Sequence, residues 1–275
     1  MNIVKKFGKE GLYFDMHFHT NYSDGSTRLN TVERICNKNH IGVAITDHNE
    51  IRGCLNALNH DFLFIPGIET RSKENIDILF YFYDVNELAE FYKKVIRKNM
   101  ISKIKYRGLG ISAVEILELS KGYNCVSCVP HPFSFLHFAG IVKENGAYRN
   151  KGRYKDGLGI VKLTDAIEVM NGHLLKKGNR KALELAHDMN KAFTGGSDGH
   201  IRFDLGKILT YAKGDNVDDF LKHVLNKKNE IYSCKGGLRR MMISRTWAFR
   251  KHVIHPLHYI NRFINQGKNK LKDNG

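Results

Sequence analysis

Short apolar runs alternate along the chain with stretches whose apolar positions recur every three or four residues. The runs read as strands and the stretches as helices. Strands are predicted over Leu12 to His19, Ile41 to Thr46, Asn124 to Pro130, Ala166 to Met170, Ala192 to Ser197 and Lys207 to Tyr211. The aromatic runs Phe62 to Thr70 and Ile76 to Tyr83 read the same way. Helices are predicted from Thr31 to Asn39, Ile51 to Leu58, Asn86 to Asn99, about His173 to Met189, and Val217 to Leu225. Another opens at Ser112, where Ser-x-x-Glu forms a capping box, and runs through Leu119. Strand-helix alternation of this kind favours a parallel sheet or barrel, with chemistry gathered at the C-terminal strand ends. Gly140 to Gly159 breaks the pattern. It is rich in Gly, Lys and Arg and reads as an exposed excursion.

Polar residues at the strand exits are the informative exception to this pattern. His17 and His19 are two positions apart on one strand, so both imidazoles project from one face and can share a metal ion. Ser23-Asp24-Gly25 follows as a turn. Asp47-His48, Glu69, His131 and Asp198-x-His200 then recur, each after an apolar run. Several strands delivering imidazoles and carboxylates to one place imply a metalloenzyme.

Composition narrows the class. Hydrophobic residues make up 42% and charged residues 26% of 275, the proportions of a soluble globular domain with a substantial core. The first ten residues are polar, and no apolar stretch approaches the ~20 residues of a membrane span, so a cytoplasmic protein is expected. The odd count of five cysteines fits a reducing compartment. Cys125 and Cys128 lie within a strand, where i and i+3 face opposite sides, so they read as buried thiols rather than a metal pair. The formal charge is +16, and residues 235–275 hold ten Lys or Arg against one Asp. A basic tail suits nucleic acid or an anionic membrane surface, and equally a solvated tail. In it Trp247, Phe249, Ile254, Leu257, Ile260 and Ile264 alternate with basic residues. Pro256 would interrupt or begin a helix there.

The ordered blocks are Asp15-Met16-His17-Phe18-His19, Ser23-Asp24-Gly25, Thr46-Asp47-His48-Asn49, Pro66-Gly67-Ile68-Glu69, Pro130-His131-Pro132, Glu168-Val169-Met170-Asn171-Gly172 and Gly196-Ser197-Asp198-Gly199-His200. From about Leu12 to Tyr211 the chain resembles the PHP (polymerase and histidinol phosphatase) family of metal-dependent phosphoesterases. The resemblance implies an α/β fold, a distorted (β/α)7 barrel over residues 1–234, with 235–275 as a basic C-terminal extension. It implies two or three divalent ions at the barrel mouth, and imidazole-carboxylate ligands suit Mn, Fe or Zn. His17, His19 and Asp198 would hold the first ion, Glu69 would bridge to a second held by His131, and Asp24, His48 and His200 would hold a third. Water activated there would hydrolyse a phosphate ester. Asp15 and Asp47 could orient ligand imidazoles, or act as cap or turn residues.

Two positions depart from the family pattern. Asp77 stands where many relatives carry a histidine, and is either a ligand or a polar residue at a strand start. Ser134 stands where an arginine often meets substrate phosphate, leaving Arg153, Lys155 or Arg202 as substitutes or as plain surface residues. The expected substrate is a small phosphorylated metabolite or nucleotide. The alternatives are a nuclease trimming RNA or DNA ends, and a non-catalytic scaffold that binds a membrane or partner through its tail. His40, His60, His137, His173, His187, His223, His252, His255 and His258 stand outside the blocks and read as surface or packing residues.

Overall fold

The strand Leu12–Phe18 (β1) is buried at every position after Leu12 and forms the centre of the fold. In the computed structural model, residues 9–102, 107–134 and 157–233 are described. Eight further strands join β1: Gly42–Ile45 (β2), Phe64–Arg71 (β3), Asp77–Phe82 (β4), Cys125–Val129 (β5), Ala166–Asn171 (β6), Ala192–Gly196 (β7), Ile208–Ala212 (β8) and Asn229–Ser233 (β9). They form one sheet in the order β7-β6-β5-β4-β3-β2-β1-β8-β9. The two ends of the β7-to-β1 arc meet at a parallel bridge between Phe18 and Gly199, where the His19 N–H donates to the Gly199 carbonyl at 2.9 Å. The sheet is therefore nearly closed into a barrel.

Nine strands among the described residues, with β4 and β8 reversed, show where the barrel departs from an even sevenfold alternation. β4 runs antiparallel to both β3 and β5, and β8 runs antiparallel to both β1 and β9. The reason at β4 is chain length. Only residues 72–76 link it to β3, closed by a Ser72 N–H bond to the Ile76 carbonyl at 2.8 Å. A parallel return needs a crossover of a dozen residues or more. The reversal carries the first residue of β4, Asp77, to the same barrel end as the last residue of β3, Arg71.

Helices pack outside the sheet. Leu29–Asn39 (α1) turns Leu29, Val32 and Cys36 inward. Arg52–Ala57 (α2) follows β2. Val85–Phe91 (α3) is capped by the Asp84 carboxylate and continues as a wider turn over Tyr92–Ile96 and a tighter one over Arg97–Asn99. Ala113–Ser120 (α4) opens with the expected capping box of Ser112 and Glu115. Gly157–Leu163 (α5), Lys176–Asp188 (α6) and Val217–Leu225 (α7) are the remaining helices among the described residues. α5 corrects the excursion at its end: Gly157, Ile160 and Val161 are buried, so the core recruits this segment as helix. Residues 135–156, with Arg153, Lys155 and His137, lie outside the described residues. So does the extension 235–275, with His252, His255 and His258.

Two apolar layers result, one between sheet and helices and one inside the barrel. Cys125 joins the outer layer and Cys128 the inner one, as their spacing predicts. The inner layer includes Phe14, Met16, Ile65 and Tyr81, and α7 plugs its lower end with Phe220, Leu221 and Val224. The Phe14 and Phe220 rings lie 4.5 Å apart at this plug. No helix among the described residues is long and apolar enough to cross a membrane. Phe220→Ala should lower unfolding free energy by about 3–5 kcal/mol in a denaturant titration, the usual loss for an emptied aromatic core site.

Candidate metal centre

All the polar strand-exit residues meet at the barrel end opposite the α7 plug. β1 brings His17, His19 follows its last residue, and the next turn brings Asp24. His48 follows β2, Glu69 lies in β3, His131 follows β5, and Asp198 and His200 follow β7. Asp198 and His131 adopt left-handed backbone, with φ of 51° and 31°. Non-glycine residues enter that region only where surrounding contacts hold them. Here the Asn171 amide donates to Asp198 at 3.3 Å, and the His131 N–H donates to Glu168 at 2.9 Å. Two glycines permit the close approach of these loops. A Cβ at Gly196 would lie 2.4 Å from the His17 backbone nitrogen, and one at Gly25 would lie 2.1 Å from the His19 carbonyl oxygen.

Glu69 is the hub. Its Oε2 lies 3.0 Å from His48 Nδ1, 3.3 Å from His19 Nε2 and 3.5 Å from His17 Nε2. Its Oε1 lies 3.3 Å from His131 Nε2. The His17 and His19 Nε2 atoms face each other at 3.1 Å, and Asp198 Oδ1 stands 3.6 and 3.4 Å from them. Asp24 Oδ2 lies 3.2 Å from His200 Nε2 and 3.7 Å from His48 Nε2. Three groups thus offer converging donor atoms within 4.8 Å of one another: His17, His19 and Asp198; Glu69, Asp77 and His131; and His19, Asp24, His48 and His200. Glu69 Oε1 and His19 Nδ1 are buried without a hydrogen bond among the described residues. Paired imidazole lone pairs around a carboxylate hub fit divalent ions of the borderline class.

Charge balance holds the cluster together. Burial opposes ionisation of Glu69, but His48 and His17 outweigh it and keep this carboxyl well below its usual range. The same contest keeps Asp24 low, through His200 and His48, and Asp198 low, through His17. Burial likewise opposes charge on His17, yet Asp198, Glu168 and Glu69 raise it well above the ordinary imidazole value. His131 is raised against its burial by Glu69, and His200 to about 9 by Asp24. His48 is the exception, since burial prevails and lowers it to about 3.

The residues expected to orient imidazoles do something else. Asp15 accepts the N–H groups of Ser197 at 2.7 Å and Gly206 at 2.8 Å, fastening the loop after β7 to β1. Asp47 accepts from Thr20 N at 2.8 Å, Thr20 Oγ1 at 2.6 Å and Ser23 Oγ at 2.5 Å, pinning the turn that carries Asp24. The imidazole-orienting carboxylate is Glu168, whose Oε1 lies 3.0 Å from His17 Nδ1. A carboxylate inside the otherwise apolar run Ala166 to Met170 was its signal. His173 is buried, its ring 5.7 Å from that of His200 at the edge of the cluster. Asp77 is both a strand-start residue and a member of a ligand group, and Arg71 grips it. Ser134 closes a turn onto the His131 carbonyl at 2.9 Å. Arg202 is exposed, its guanidinium 4.6 Å from the Phe203 ring centroid. Comparable pairs set Arg52 over Tyr22 at 5.8 Å and Lys181 over Phe133 at 6.0 Å. Each pair includes a residue within four positions of a ligand candidate.

Solved structures share this architecture. A two-domain protein from Bacteroides vulgatus, containing a predicted PHP-like metal-dependent phosphoesterase, superposes with a TM-score of 0.57 at 18% identity. The match covers 86% of this chain and 71% of that one. The fold is the PHP fold. PsfC from Pseudomonas syringae superposes at TM-score 0.61 and 15% identity, over 87% of this chain and 98% of its own. A lesion-specific endonuclease from Pyrococcus furiosus matches at TM-score 0.57 and 16% identity, covering 80% of this chain and 57% of its own length. The family model of the PHP-associated region matches residues 176–229, and no curated protein matches the chain. The PHP resemblance read from the ordered blocks is borne out.

Two outcomes follow from the centre's geometry. Glu168→Gln should weaken divalent-metal affinity by ~10–100-fold with the fold intact by circular dichroism, because His17 loses its orienting carboxylate. His17 is raised well above its ordinary value and His200 to about 9, and ligand imidazoles must be neutral. Metal uptake should therefore release protons, and apparent affinity should climb from pH 6 towards about 9. Calorimetry in buffers of different ionisation enthalpy measures both.

Proposed function

We propose that the chain is a metal-dependent phosphoesterase that hydrolyses a phosphate ester at the PHP barrel mouth. The observation that carries this reading is the meeting of three buried ligand groups, one containing the Glu69 carboxylate and the other two each reaching within 3.5 Å of it. In this reading His17, His19 and Asp198 hold one ion, Glu69 and His131 with Asp77 serve a second position, and Asp24, His48 and His200 serve a third. Two or three Mn, Fe or Zn ions would neutralise phosphoryl oxygens and bring the pKa of a coordinated water towards ~7. The protein's own part is placement. Glu168 orients His17, Asp47 holds the Asp24 turn, and Asp15 fixes the loop that carries Asp198. A scaffold without chemistry would have no use for so many buried carboxylates and imidazoles brought together against their desolvation.

The substrate is a phosphorylated small molecule or nucleotide, with a nucleic-acid end as the second reading. The second reading draws on the cation-aromatic pairs of the rim, Arg52–Tyr22, Lys181–Phe133 and Arg202–Phe203. Such pairs suit a phosphodiester beside an unstacked base. The +16 formal charge and the endonuclease with the same fold point the same way.

Purified protein should contain divalent metal. The double substitution His17→Ala and His19→Ala should cut phosphoesterase activity by at least ~100-fold. A panel of nucleoside monophosphates, sugar phosphates and a labelled oligonucleotide separates the substrate classes. Oligonucleotide cleavage with affinity falling steeply as salt rises selects the nuclease. A metal-free protein, or unchanged activity in the double variant, overturns the phosphoesterase reading.

A further inference from the structure

The three ligand groups are not equivalent, and the difference lies at Arg71. Its Nε donates to Asp77 Oδ1 at 2.6 Å and its Nη2 to Asp77 Oδ2 at 2.7 Å. Both carboxylate oxygens are thus taken by one guanidinium fork, the strongest geometry available to this pair. Arg71 and Asp77 face each other in the β3–β4 register, which puts their side chains on one face of the hairpin. Glu69, two residues before Arg71, shares that face. The Asp77 side chain is 1% exposed and that of Arg71 14%, so the pair is built into the wall of the centre.

The chemical contrast with the other two groups is sharp. There the carboxylates stand against imidazoles: Asp198 against His17 and His19, and Asp24 against His48 and His200. An imidazole can offer its own nitrogen lone pair to an arriving ion, so these neighbours are fellow ligands. A guanidinium does not deprotonate in a protein, so its charge stays. A divalent ion at the Glu69, Asp77 and His131 group would meet a permanent positive charge already seated on one of its three ligands.

We infer that Arg71 is a resident cation standing in for a metal ion, so that the Glu69–Asp77–His131 position binds its ion weakly while the other two positions bind tightly. This rests on the metal-dependent reading above. It makes the centre a tight pair with a labile third position, and it names Arg71 as the residue that sets the count.

The test uses the full chain, stripped with chelator and titrated with Mn²⁺ alone, with bound equivalents counted by elemental analysis and affinities by calorimetry. Wild type should take up two tight equivalents and a third at least ~10-fold weaker. Arg71→Gln keeps an N–H donor for Asp77 and removes the charge, so the third affinity should tighten at least ~10-fold. Arg71→Met combined with Asp77→His leaves no buried unpaired carboxylate at this position and should behave likewise. Three equal tight equivalents in wild type, or no tightening in either variant, overturns the inference and leaves the phosphoesterase reading standing. A wild-type chain that takes up no Mn²⁺ removes both.

Discussion

A single buried carboxylate surrounded by four imidazoles is the constraint around which this molecule is organised. Glu69 has His17, His19 and His48 against one oxygen and His131 against the other. Those four rings come from the ends of three different strands, so the barrel must close for the charge to be balanced. An isolated carboxylate at this depth would be protonated rather than charged. Here it is held ionised, with His48 and His17 the neighbours that lower it most. The apolar interior below, sealed by Phe14 and Phe220, gives this polar cluster a rigid floor.

Much of this was legible in the chain. The spacing of His17 and His19 put two imidazoles on one strand face, and the acid-histidine pairs after later apolar runs marked the remaining strand exits. Cys125 and Cys128 separated onto opposite faces for the same periodic reason. The reversal of β4 was less visible, because parallel and antiparallel strands leave the same apolar signature. The five-residue link before Asp77 held the clue. Glu168 and Arg71 escaped for a different reason. A lone charge in or at the end of a strand ordinarily meets solvent, and only the fold shows that one reaches His17 and the other Asp77. Asp15 and Asp47 sit beside ligands in sequence yet serve backbone and hydroxyl groups, since adjacency along a strand does not fix where a carboxylate points.

The contrast between Asp77 and the other carboxylates shows how one barrel can vary its centre. Imidazole neighbours let a carboxylate share an ion with them as fellow ligands. An arginine neighbour makes it fixed. The hairpin that places Arg71 opposite Asp77 therefore affects the chemistry of the site as well as the topology of the sheet.

The Asp15 clasp has a consequence for how the protein comes into being. Asp15 belongs to the first strand, yet its partners are the backbone groups of Ser197 and Gly206. The donor set spans His17 to His200, so no half of the chain holds a complete centre. On a ribosome, the first histidines would emerge long before the residues that lock them in place. The pocket is therefore a late product of synthesis, and its completion reports that the long-range closure of the barrel, the slow part of folding such a topology, has been achieved.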